Sequence, residues 1–130
     1  MSFKTAQLAI EARFAAAYSC CPIKYENVDF VKVSGQTYCE LNVIDVQTKR
    51  ANVGSPALER NWGIIQARIF TPRNVGTATG RALADIAAGI FRDAQFSGIT
   101  CFSPAVRNIG EVEGWWVTSM TSEFYRDEIF

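Results

Sequence analysis

The segment from Leu83 to Ala94 most constrains the fold. Leu83, Ile86, Ala87, Ile90, Phe91 and Ala94 recur at the i, i+3, i+4, i+7 spacing of one helix face, while Arg81, Asp85, Arg92 and Asp93 fall mostly on the other side. This pattern predicts an amphipathic helix that buries one stripe. Its neighbours lack the helical period. Val28 to Val33, Thr37 to Gln47 and Gly63 to Thr71 before it, and Ile99 to Ser103 and Trp115 to Tyr125 after it, read as strands. The apolar stripe therefore has a sheet to pack against.

A second helix is expected at the N-terminus, where Phe3, Ala6, Ile10, Phe14 and Ala17 form a narrow stripe at 100° per residue and Pro22 ends the helix. Ser34, Gly35 and Gln36 suit a hairpin turn between the first two strands. A connection bearing Pro, Asn and Gly, ending at Gly114, separates the last two strands. The expected order is helix, three strands, helix, two strands. That is an α+β domain, with a mostly antiparallel or mixed sheet of four to five strands and both helices packed on one face. At 130 residues the chain (1–130) has room for one domain.

Composition narrows the function classes. Thirteen basic residues balance thirteen acidic ones, so no global field favours a polyanion, and sequence-specific nucleic-acid binding is not expected. There is no histidine, which removes the usual base of nucleophilic triads. Cys20, Cys21, Cys39 and Cys101 form no C-x-x-C pair, so no zinc site is expected and the thiols read as reduced and largely buried. The carboxylate pairs Glu111/Glu113 and Asp127/Glu128 lie in a glycine-flanked loop and near the chain end, poor places to hold catalytic groups rigidly. No catalytic residue, metal or cofactor is expected. With no secretory signal pattern and no apolar run near the roughly 20 residues that span a bilayer, the expectation is a soluble chain that folds in the cytoplasm, without a membrane partner.

Gly76, Thr77, Ala78, Thr79, Gly80 and Arg81 open the second helix after a strand. They match neither a P-loop nor G-x-G-x-x-G, and a linker with Thr77 or Thr79 as the helix N-cap explains the same residues. Two other features point to contacts between molecules. The stretch from Thr48 to Asn61 (TKRANVGSPALERN) reads as an unusually long loop in which Lys49, Arg50, Glu59 and Arg60 carry a net +2. Glu123, Arg126, Asp127 and Glu128 carry a net −2, and opposite signs at separate sites suit head-to-tail association. Trp115 and Trp116, consecutive on a strand, point to opposite faces of the sheet. One faces the helices; the other is covered either by another segment of the chain or by a partner. The candidate subunit or tube interface is therefore Lys49, Arg50, Arg60, Trp115 and Trp116. Ile64, Ile65, Ile69 and Phe70 also place apolar residues on both faces of their strand.

Several pieces in a fixed order carry a resemblance. They are the N-terminal helix; Tyr25, Glu26, Asn27, Val28, Asp29 and Phe30 before the first strands; the strand IIQARIFTP ending at Pro72; the Gly76 to Gly80 helix opening; the helix end AAGIFRDAQF; and the closing run from Gly110 and Glu111 through Gly114, Trp115 and Trp116 to Phe124. In this order and spacing the chain resembles the tail terminators of long-tailed phages, the minor tail protein U-like family. The resemblance implies a virion structural protein at the head-proximal end of the tail, assembled in the host cytoplasm. It implies a hexameric ring that caps the tail tube, stops its polymerisation and offers a docking surface to the head–tail connector, with DNA passing through the lumen. The implied partners are further copies of the chain, the tail tube protein and the connector. The family has no catalytic motif to carry over. Two other classes stay open: another neck component, such as a head-completion or connector subunit, and an α+β domain that binds or transforms a small molecule.

Overall fold

The computed structural model describes residues 3–32, 35–50, 58–74 and 76–129. The elements run α1 (Phe3–Ala17), β1 (Ile23–Tyr25), β2 (Tyr38–Arg50), β3 (Leu58–Pro72), α2 (Ala78–Phe91), β4 (Gln95–Phe96), β5 (Ile99–Cys101), β6 (Ala105–Val112) and β7 (Trp115–Ile129). One mixed sheet has the order β1-β2-β3-β7-β5-β4, and β6 also pairs with β7. Every pairing is antiparallel except β1 with β2. The α+β class and the sheet type match expectation; the described residues form seven strands rather than four to five.

Three long strands form the frame. β3 pairs with β7 without interruption from Leu58↔Ile129 to Pro72↔Trp115, and β2 flanks β3 with a bulge between Asp45 and Gln47. The far border of β7 is divided. β5 runs beside Phe124 to Arg126 and β6 beside Trp115 to Thr121, so β5 and β6 act as one strand broken around Pro104.

Both helices lie on one face. Ala6, Ile10 and Phe14 of α1 and Ala84, Ala87, Ala88 and Phe91 of α2 share a buried cluster with Cys39, Leu41, Ile65, Ala67, Ile69, Met120 and Phe124. Phe14 stacks on Phe91 at 5.9 Å and on Tyr18 at 4.6 Å. Alanines on α2 let it approach the sheet closely, and Gly80 is needed because a Cβ there would lie 2.7 Å from Thr118 Oγ1. The expected stripes are slightly misplaced: Phe3 and Ala17 are exposed, as is Ile86, because α2 turns its alanine face inward.

Four readings of the sequence are corrected. Val28 to Lys32 form no strand; this segment lies against the other face of the sheet, while three residues, Ile23 to Tyr25, pair parallel to β2. There is thus no β1–β2 hairpin at Gly35 and Gln36, and Val33 and Ser34 lie outside the described residues. The connection before Gly114 is itself the strand β6. It turns into β7 through Glu113 and Gly114, both at positive φ (50° and 86°), as a two-residue I′ hairpin requires. The stretch from Thr48 to Asn61 is not one loop. β2 and β3 continue into it, pairing Thr48 with Asn61, Lys49 with Arg60 and Arg50 with Glu59; residues 51–57 of this loop lie outside the described residues.

Candidate functional site

The face away from the helices is the open one. It is formed by Tyr38, Glu40, Asn42 and Ile44 of β2, alternate residues of β3 from Arg60 to Phe70, and Trp115 to Tyr125 at odd positions of β7. Two aromatic groups stand at its ends. At one end Tyr38 stacks on Phe70 at 4.6 Å, meets Trp115 edge-on at 5.2 Å, and is covered by Phe30 at 5.2 Å. The segment carrying Phe30 thus covers Tyr38, and Trp115 packs half-buried against the same Tyr38, Phe70 and Val117 group within the chain. At the other end Trp62, Phe102 and Tyr125 form a triangle with ring centroids 5.4 to 6.2 Å apart. Phe102 remains 36% exposed there.

Between them the face is polar. Glu40 bonds to Arg68, accepts a hydrogen bond from Asn42 at 3.0 Å and lies 3.3 Å from Lys24 Nζ. Burial alone raises the Glu40 pKa, but the hydrogen bonds from Asn42 and Arg68 and the charges of Arg68 and Lys24 outweigh it and hold the carboxyl below its ordinary value. Beside it runs a shallow trough of about 630 Å³ lined by Ile64, Gln66, Arg107, Ile109, Thr121 and Glu123 among others. Nothing in it converges as a nucleophile and base would, and no group of three metal-ligating side chains occurs among the described residues.

The predicted interface residues fall into two separate places. Lys49, Arg60 and Asp127 lie side by side across β2, β3 and β7, and Arg50, Glu59 and Glu128 form the next row. Arg60 donates from Nε and from one terminal nitrogen to the two Asp127 oxygens at 2.8 and 3.0 Å and caps the Tyr125 ring at 4.3 Å. The hydrogen bond from Arg60 holds the Asp127 carboxyl below its usual range. The basic and acidic stretches are therefore neighbours within one chain. Beside them Arg126, 1% exposed, lies 3.3 Å from Glu128 and against the Phe3 ring.

Trp115 and Trp116 lie twelve residues further along the ladder, on the order of 40 Å away at strand rise, so the candidates do not form one site. They do face opposite ways, as the alternation predicts. Trp116, on the helix side, borders a cleft with Arg73, Asn74, Gly76, Thr77 and Glu111, where Arg73 and Glu111 pair at 2.8 Å. Thr77 occupies the α2 N-cap position but its side chain makes no cap bond, and Thr79 lies inside the helix.

Two features of the molecule went unread in the sequence. One is the aromatic triangle: Leu58, Arg60, Trp62 and Ile64 alternate as one strand face should, a signal masked by the surrounding charges. The other is a pair of long sheet borders with no strand partner among the described residues, β2 beyond Val43 and β6, with Ile44, Val46, Ile109 and Val112 exposed by 45, 59, 50 and 42%. No helix among the described residues is long and apolar enough to cross a membrane.

No curated protein matches the chain. Ten solved chains match it, and one of them, 17% identical, aligns over all of this chain and 98% of its own with a TM-score of 0.71. At that identity the likeness shows the fold alone. A family model described as phage tail terminator protein matches residues 5–124, from the first turns of α1 to the middle of β7. That span takes in α2, all but the first two residues of α1, the open face as far as Glu123 on β7, and the outer borders of β2 and β6, and the chain belongs to the phage tail terminator family.

Proposed function

We propose that this chain closes the head-proximal end of the phage tail tube as a ring, ends tube growth there and presents the surface on which the head connector docks. The observation that carries this reading is the family match across residues 5–124, and the open borders of the sheet accord with it. A terminator must recognise the last ring of a polymer without offering the next ring the same surface. A chain that associates with its own copies laterally and presents different ends above and below meets that requirement. Neighbours meet through the borders of the sheet and the Trp115/Trp116 strand, and the paired arm carrying Lys49, Arg50 and Arg60 reaches toward the tube or the lumen. The ring is hexameric, its partners are the tail tube protein and the connector, and DNA passes through it without sequence-specific contacts. The role is structural, and no catalytic residue, cofactor or metal enters it.

Infection in which this chain is not produced tests the reading. The expected product is tail tubes of uncontrolled length without attached heads. Tubes of normal length that merely lack heads would place the chain among the other neck components instead.

A further inference from the structure

We infer that the sheet continues from one copy to the next, with Ile44 to Lys49 of β2 pairing antiparallel with Ala105 to Gly110 of β6 in a neighbouring copy. This rests on the ring reading above and names the contact that closes it.

Each border of the sheet is half filled. On the β2 side, β1 covers Cys39 to Leu41, the Glu26 carboxylate accepts the Val43 N–H, and no strand among the described residues pairs with β2 beyond that point. On the β7 side, β5 and β4 fill one half, while the outer edge of β6 has no strand partner among the described residues. The other outermost strands, β1 and β4, have three and two residues. An unpaired edge of six or more residues with exposed aliphatic side chains is a template for another strand. β2 and β6 lie on opposite borders of the same sheet and run antiparallel, so joining them repeats head to tail. Joining either to itself stops at a dimer.

The register follows from three constraints. Side chains of paired residues share a face, and Ile44, Gln47 and Lys49 lie on the open face of β2 as Ala105, Arg107 and Gly110 do on β6. Each strand carries one bulged residue, Val46 in β2 and Ile109 in β6, with no partner in the neighbouring strand of its own copy. Setting Ile44 opposite Gly110, Gln47 opposite Arg107 and Lys49 opposite Ala105 keeps faces matched on both sides of the bulges and brings the bulges together. A shift of two residues one way sets Arg107 against Lys49, a like-charge pair. The opposite shift drives Glu111 onto Leu41, whose border β1 already occupies.

The pairing also has a geometric consequence. Within one copy Ala105 lies level with Asn42, through Thr121 and Gln66, whereas in the contact it meets Lys49. Val46 is bulged out, so each copy steps the sheet by six ladder positions, Gln66 to Arg60 on β3, about 20 Å, over four strands spanning roughly 19 Å. Strands tilted about 46° from the ring axis result, close to the upper end of the roughly 35–45° of ordinary closed barrels.

The test is a cross-link in a Cys20→Ser background, on the purified chain at high concentration and on isolated tails. Facing positions in an antiparallel pair lie close enough for a disulfide after mild oxidation. Gln47→Cys combined with Arg107→Cys gives a ladder of multimers that collapses on reduction, while each single variant stays monomeric. Gln47→Cys with Ala105→Cys, out of register, gives a much weaker ladder. Dimers from Gln47→Cys alone would show β2 pairing with itself and overturn the inference. So would absence of the ladder in both settings. Tails bearing this chain at their tip without cross-links would sink the border pairing and leave the terminator reading intact. A ladder from a chain located elsewhere in the particle would do the reverse.

Discussion

Gly63→Ala sets a general rule against a local contact. Replacing a strand glycine by alanine ordinarily gains about 0.4–1 kcal/mol, because the unfolded chain loses conformational freedom. At Gly63 a Cβ would lie 2.5 Å from Phe124 Cζ, 2.7 Å from Cε1 and 2.8 Å from the backbone oxygen of Ile44. Phe124 is 2% exposed within the main core, and the Ile44 oxygen belongs to a paired strand, so neither gives way easily. Overpacking of this kind loses about 1–3 kcal/mol. The net expectation is destabilisation by about 1–2 kcal/mol, a drop of roughly 3–10 °C in melting temperature for a chain of this size. Urea unfolding of the purified chain measures it as a lower midpoint at unchanged slope. Adding Phe124→Leu should recover part of the loss in the Gly63→Ala background while destabilising the parent. An unchanged or raised midpoint in Gly63→Ala would refute the reasoning.

Three further outcomes are expected. Because the Glu40 pKa is lowered in the fold, its stabilisation is present above the ordinary value of 4.5 and disappears as pH falls through the folded value. The gap in urea midpoint between the parent and Glu40→Gln should therefore be largest near pH 7 and close below pH 4.5, and a gap constant through the acid range would contradict the ion cluster. Burial pushes the Cys101 thiol up to about 11 and the Cys39 thiol higher still, whereas Cys20 is exposed. Maleimide labelling at pH 7.5 should modify Cys20 quickly and reach Cys39 and Cys101 on unfolding; rapid labelling of either in the native chain would show that the core opens. Trp115→Ala should destabilise the fold by about 2 kcal/mol, less than the roughly 3–5 kcal/mol of a fully buried ring, since the Tyr38 group half covers it. A variant that melts like the parent would contradict the packing of Trp115 on the Tyr38 group within the chain.

What the sequence revealed depended on how long each pattern ran. α2 and the cores of β2, β3 and β7 were legible because several turns or alternations repeat one period. β6 was not: AVRNIGEV contains a bulge at Ile109 and a glycine at positive φ, which break the alternation. Val28 to Lys32 carried strand-like residues but serves as a cover, with Phe30 on Tyr38 and Val31 84% exposed. The ends of β2 and β3 read as loop because Lys49, Arg50, Glu59 and Arg60 are charged. In the fold their pairing is held by cross-strand bonds, such as Thr48 Oγ1 to Asn61 Oδ1 at 2.6 Å and Arg60 to Asp127, rather than by burial. The alternation of Trp115 and Trp116 is legible in the sequence, but the packing of Tyr38 and Phe70 beside the open-face tryptophan depends on contacts distant in sequence. The open borders had no local signature, since an edge is defined by which strands are absent beside it.

The most direct test of the account is location. Immunogold labelling of this chain on whole particles and on detached tails, viewed by negative-stain electron microscopy, should place gold at the head-proximal tail end and retain it on tails without heads. Gold that stays with heads, or that decorates the tube along its length, would contradict a terminator at that position.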